Sequence, residues 1–251
     1  MTAWEVVGLV LAGVFAGGIN AVVGSGTLVT FPVLLAVGYP PVVANVSNTL
    51  GLVPGSVTGA IGYRRELVGQ GPRLLRLGAA SLVGGVVGAV LLLVLPPGAF
   101  ETIVPILIVL ALVLVVAQPW LARKLAERQP ERHEHGGVAL LAGVCVTGVY
   151  GGYFGAAQGV LLLALMGILM AETLQRINAV KNVLAAIVNL VAGLVFVFVA
   201  DVAWLAVGAI AVGAMVGGLL GAKVGRKLSP VVLRAVIVVV GLAAIVQILT
   251  R

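Results

Sequence analysis

Five stretches of this chain, residues 74–95, 103–117, 177–200, 204–222 and 231–249, are apolar almost without interruption. Most are long enough to cross a hydrocarbon core of roughly 30 Å as helices. They are apolar on every face, whereas the strands of a membrane barrel need apolar and polar residues to alternate. A backbone in lipid must satisfy its own hydrogen bonds, so the sequence predicts an all-α, polytopic membrane protein. Composition agrees: 61% of the 251 residues are hydrophobic and 9% are charged, against about 25% charged in a soluble domain. The opening Met-Thr-Ala-Trp-Glu lacks the basic region of a cleavable signal, so the first helix is expected to stay in the mature protein. A lone Cys145 leaves no internal disulfide to form.

The chain also repeats itself. An offset of 133 residues lays Gly26 on Gly159, Asn45 on Asn178 and Pro97 on Pro230, and sets Leu-Val-Gly-Gly-Val-Val-Gly-Ala (82–89) over Met-Val-Gly-Gly-Leu-Leu-Gly-Ala (215–222). One offset serving four separated landmarks points to duplication. The first half parses into elements at 4–23, 26–38, 41–62, 73–95 and 102–119; the second into 137–156, 158–170, 174–199, 203–222 and 231–250. The expected organisation is a first transmembrane repeat over 1–122, a linker over 123–136 and a second repeat over 137–251. The second element of each half is too short to span, which predicts an interrupted or re-entrant helix.

Basic residues set the expected topology. Arg64, Arg65, Arg73 and Arg76 fill one loop, Arg123, Lys124, Arg128 and Arg132 the linker, and Lys223, Arg226 and Lys227 the last, while the remaining turns hold Glu5, Glu101 and Asp201. The three basic loops are therefore expected in the cytoplasm and both termini outside. Each half then crosses an odd number of times, so the halves are inverted, the arrangement of secondary transporters with a site near the midplane. The net charge of +7 lies in these short loops, so it reads as an orientation signal and not as a nucleic-acid surface.

Polar residues inside the apolar runs mark helix contacts or a cavity. They gather in Asn20 to Thr27, Asn45 to Thr49, Tyr150 to Gly159 and Asn178 to Asn182, with Asn189 beyond. Gly24, Ser25, Gly26 and Thr27, and in the second half Gln158 and Gly159, precede the short elements, where backbone N–H groups and a helix N-terminus suit an anion. Asn45, Asn48, Asn178 and Asn182 bring amides that bond a ligand or cap helix ends. Lys181 is a cation within an apolar run, either an anion anchor or a side chain that snorkels to the headgroups. Gly84, Gly88, Gly213, Gly217 and Gly221 have the spacing of close helix packing, within one chain or across a homodimer. All eight carboxylates lie in loops or at span ends, which disfavours a cation carrier. His133 and His135 read as part of a solvated loop. No nucleophile–base pair, nucleotide loop or metal cluster is visible, so no enzyme, cofactor or metal is expected.

The run Gly-Gly-Ile-Asn-Ala-Val-Val-Gly-Ser-Gly-Thr-Leu-Val-Thr-Phe-Pro (17–32), followed by Ala-Asn-Val-Ser-Asn-Thr (44–49), resembles the TauE/SafE, or sulfite exporter, family. Tyr-Gly-Gly-Tyr-Phe-Gly-Ala (150–156) and Arg-Ile-Asn-Ala-Val-Lys-Asn (176–182) carry the resemblance into the second half. It implies a prokaryotic inner-membrane permease for sulfite, organosulfonates or related small anions. The second half has Ala-Ala-Gln-Gly where the first has Val-Gly-Ser-Gly, a departure from symmetric coordination. A carrier of a carboxylate or another small solute, and a non-transporting membrane scaffold or assembly factor, are the alternative readings.

Overall fold

A computed structural model describes residues 1–127 and 137–224, with isolated positions 235, 238, 239 and 242 beyond them. The described residues form nine α-helices and no strand: α1 (Ala3–Val22), α2 (Thr27–Val37), α3 (Pro41–Gly62), α4 (Gly71–Val94), α5 (Pro97–Glu127), α6 (Gly137–Tyr153), α7 (Gln158–Leu169), α8 (Leu174–Val199) and α9 (Trp204–Val224). The fifth element of the second half, Arg226, Lys227 and linker residues 128–136 with His133 and His135 lie outside the described residues. Among the described residues, five helices are long and apolar enough to cross a membrane. Outward-facing side chains include Trp4, Phe15, Val94 and Phe198, which suit lipid as a solvent.

Helix starts follow local chemistry. Thr2 and Glu5 close a capping box on α1, the Thr2 amide donating to Glu5 Oε2 at 2.7 Å. Pro41 and Pro97 open α3 and α5, where a missing N–H is harmless. Helix α5 runs to Glu127, past the 102–119 expected from its apolar run and into the segment expected as linker. The apolar run measures contact with lipid, while Leu-Ala-Arg-Lys-Leu-Ala-Glu (121–127) is helix-forming sequence that continues after hydrophobicity ends.

Packing is dominated by crossings between the two halves. Helix α1 lies on α9 and α6 lies on α4, the same pairing with the halves exchanged. Gly217 and Gly221 of α9 sit on the carbonyls of Val14 and Gly18, as Gly84 and Gly88 of α4 sit on those of Cys145 and Val149. A Cβ at any of the four would strike backbone, so these glycines let helices pack closely within one chain. Helices α3 and α8 run antiparallel: Leu50 meets Gly193, Ser56 bonds Asn189, and Gly59 faces Asn182 as well as Ala21.

The offset of 133 holds for α3, α4 and their counterparts, but α1 and α2 register on α6 and α7 at 131. Val14 thus matches Cys145, and Thr27 matches Gln158 as first residue of the short helix. Helix α7 is 12 residues against 11 for α2, and the connection 170–173 is one residue longer than 38–40. These restore the later offset.

The hydrogen bonds also sort the helix ends. The Tyr39 hydroxyl donates to Met1 Sδ at 3.0 Å, so the end of α2 returns to the start of α1. The Ala203 amide donates to Ser47 Oγ at 3.0 Å, placing the start of α9 beside the first turns of α3. Gln70 and Arg73, ahead of and opening α4, bond Arg176 and Glu172 at the start of α8. Helix α2, roughly 16 Å long, is too short to span and folds back along α1.

Candidate functional site

Both helix breaks are built from left-handed backbone. After α1, the Val23 and Gly24 amides both bond the Ile19 carbonyl, at 2.7 and 3.0 Å, and Gly24 turns the chain at φ +88°. After α6, the Phe154 and Gly155 amides bond the Tyr150 carbonyl, at 3.0 and 3.1 Å, with Gly155 at φ +77° and Ala157 at +58°. Ala157 is the only non-glycine in that region among the described residues, a strained position of the kind that collects at functional sites. The two breaks cross where Gly24 and Gly159 meet, Cα against Cα, and the Gly159 amide donates to the Gly24 carbonyl at 3.1 Å.

Around that crossing the polar residues converge. Lys181 is fully buried, its stem lying on Gly159 and its Nζ donating to the carbonyls of Asn20 at 2.9 Å and Ala21 at 3.3 Å. Asn178 and Asn182 donate to the same Ala21 carbonyl, at 3.1 and 3.2 Å. These carbonyls end α1, where the last turn lacks intrahelical donors and the dipole is negative. Asn45 serves α6 likewise, its Nδ2 donating to the Tyr153 carbonyl at 2.9 Å. Asn48 donates to Thr27 Oγ1 at 3.2 Å and accepts from the Thr30 hydroxyl.

All eleven candidate residues, Gly24 to Thr27, Asn45, Asn48, Gln158, Gly159, Asn178, Lys181 and Asn182, therefore lie at or against the two breaks. Three of the expected amide donors are already used, Gly24 by Ile19, Gln158 by Gly155 and Gly159 by Gly24. Lys181 does not snorkel. Other polar atoms are buried without a hydrogen-bond partner: Ser25 Oγ and Gln158 Nε2, which can donate, Asn45 and Asn178 Oδ1, which accept, and the Tyr153 hydroxyl. A buried polar atom left unpaired costs about 1–3 kcal/mol, so five in one region mark a place organised for something other than packing.

Three residues outside the candidate set join the cluster. Asn20 and Asn189 both donate to Ser56 Oγ, at 3.2 and 3.3 Å. Ser56 and Asn189 match at the offset of 133, and they bond each other. Asn20 and Asn189 carry a sequence signal as polar residues in apolar runs; Ser56 shows none, because serine is common where helices pack.

Charge is distributed to match. Among the described residues Lys181 has no carboxylate within ion-pair distance, while Glu172 pairs with both Arg73 and Arg176. Burial pushes the Glu172 carboxyl up, but the Arg73 hydrogen bond and the nearby Arg176 and Arg73 charges outweigh it and hold it below the usual range. No group of three His, Cys, Asp or Glu side chains suited to a metal occurs among the described residues.

A family model described as sulfite exporter TauE/SafE matches residues 9–248. The chain belongs to the TauE/SafE family. Among its relatives, the probable membrane transporter protein YfcA of Escherichia coli (strain K12) is 29% identical over 235 residues, covering 93% of this chain and 85% of the relative. The probable membrane transporter protein ORF9 of Sinorhizobium sp is 30% identical over 101 residues, 40% of this chain and 39% of its own. No solved structure matches. The chain is thus a multi-pass membrane transporter. The segments that carry the TauE/SafE resemblance, 17–32, 44–49, 150–156 and 176–182, are those that build the crossed breaks and the helices capping them.

Proposed function

We propose that this TauE/SafE protein is a permease, not an enzyme, that carries a small oxyanion such as sulfite or an organosulfonate through the crossing of its two broken hairpins. The observation that carries the reading is the pairing of a fully buried, carboxylate-free Lys181 with the buried, unpartnered donors Ser25 Oγ and Gln158 Nε2 at that crossing. Those donors, with the Lys181 charge behind them, match an anion that gives up water on entry. Asn45, Asn48, Asn178 and Asn182 hold the helix ends that frame it.

The route is alternating access between inverted repeats. Antiparallel α3 and α8, and the exchange of the α1–α9 pair for the α6–α4 pair, support a two-fold axis in the membrane plane. Basic loops support a cytoplasmic side for the end of α3 and the linker, with the protein in the inner membrane of a prokaryotic cell and its termini outside. In this reading the α1–α2 and α6–α7 hairpins are re-entrant, and α3, α4, α5, α8 and α9 cross.

Counterflow in proteoliposomes tests the reading. Vesicles loaded with sulfite should accumulate labelled sulfite, sulfoacetate or thiosulfate against an empty-vesicle control and exchange small carboxylates more slowly. Faster exchange of carboxylates would reassign the substrate, and no exchange of any solute would leave a scaffold.

A further inference from the structure

The two ends of the bundle are closed by different chemistry. At the basic end, Arg73 of α4 is buried and pairs with Glu172 at 2.9 Å, and Arg176 of α8 pairs with the other oxygen of the same carboxylate at 2.9 Å. Gln70 accepts from Arg73 at 2.5 Å and donates to the carbonyls of Glu66 at 2.8 Å and Arg176 at 3.3 Å. Arg176 also reaches the Val68 carbonyl at 3.3 Å. The segment 63–73 of the first half is thereby tied to 172–176 of the second by charged groups at one shared carboxylate.

Among the described residues, the opposite end has no such tie. At the offset of 133, the counterparts of Gln70, Arg73, Glu172 and Arg176 are Ala203, Ala206, Tyr39 and Val43, none of them charged. That end is joined by the Ala203 amide on Ser47 and the Tyr39 hydroxyl on Met1. Two matched halves would otherwise open with similar ease in either direction. An ionic tie at one end only makes the two openings unequal, because parting it strips a shared carboxylate of both cations at once.

We propose that Arg73, Glu172, Gln70 and Arg176 form a latch that closes the basic, cytoplasmic end and biases the carrier toward opening at the other. This rests on the transport reading above, and two readouts separate their failures. In a Cys145→Ser background, nitroxide labels at Val68→Cys and Leu174→Cys, both exposed and flanking the latch, report its closure in proteoliposomes without any substrate. The parent should give one short distance, and Glu172→Gln and Arg73→Gln should each add a longer population at least several-fold above the parent's. Unchanged distance distributions in both variants would overturn the latch whatever the protein carries. With all charges in place, a reducible cross-link between the same two cysteines should cut counterflow at least about tenfold and release it on reduction. Counterflow at the uncross-linked rate would also overturn the latch. A parent that exchanges nothing, but whose distances respond, would instead sink the transport reading and leave the ionic closure of that end standing.

Discussion

Lys181 carries two duties, and they separate by experiment. Its ammonium satisfies the Asn20 and Ala21 carbonyls at the end of α1, and its stem lies on Gly159 at the crossing of the two breaks. Lys181→Met keeps the stem on Gly159 and removes both the donor and the charge. Anion counterflow should fall at least about tenfold, equivalent to ~1.4 kcal/mol of lost anion stabilisation. Unchanged counterflow would reduce Lys181 to a helix cap. Glu172 makes a residue-scale prediction in pH. Its folded pKa is lowered, so its stabilising effect is complete above the unfolded carboxylate value of about 4.3 and disappears as pH falls through the lower folded value. The thermal midpoint in detergent should drop on acidification below that value, and Glu172→Gln should flatten the drop. The residue types of the site were legible in the sequence because polar groups in apolar runs are conspicuous. Their partners were not: nothing in Asn178-Ala-Val-Lys-Asn182 says that three side chains turn back onto the carbonyls of a helix some 160 residues away.

At the scale of elements, hydrophobic run length located the helices and glycines located the breaks, since both are local properties. Where helix outlives hydrophobicity, as in α5 beyond residue 119, run length undershoots. The single offset of 133 failed for α1 and α2 because a one-residue difference in helix length and another in a connection are invisible to glycine matching. The crossing itself depends on two glycines without side chains. A Cβ at Gly24 would strike the Gly159 backbone, and φ +88° is a conformation L residues avoid. Gly24→Ala should therefore destabilise by more than the ~1 kcal/mol of an ordinary left-handed glycine replacement, read as a lower thermal midpoint and a loss of monodisperse protein. Gly38→Ala is the control. It too has positive φ, at +105°, but meets open space, so it should incur the backbone strain alone and remain the more stable of the two.

At the scale of the whole molecule, the proposed inverted arrangement rests on where charges cluster and on which helix ends meet, two independent lines. Charge distribution assigns the loop holding Glu66 and the end of α9 at Lys223 to one side, and the turns holding Asp201 and Glu101 to the other. The bonds agree on the ends they join: Gln70 and Arg73 with Glu172 and Arg176, and Ser47 with Ala203. A membrane-impermeant thiol reagent applied to sealed cells, with Cys145→Ser as background, should label Asp201→Cys and Glu101→Cys and spare Glu66→Cys and Lys223→Cys until the membrane is opened. Labelling of Glu66→Cys and Lys223→Cys from opposite sides would break the pairing of α3 with α9, which run parallel through Gly55 on Ala214 and Gly62 on Ala222. Two parallel, packed helices of matching length cannot end on opposite faces of a bilayer. That single result would remove the inverted pair of hairpins, and with it the reason for the breaks at Gly24 and Gly159 to cross.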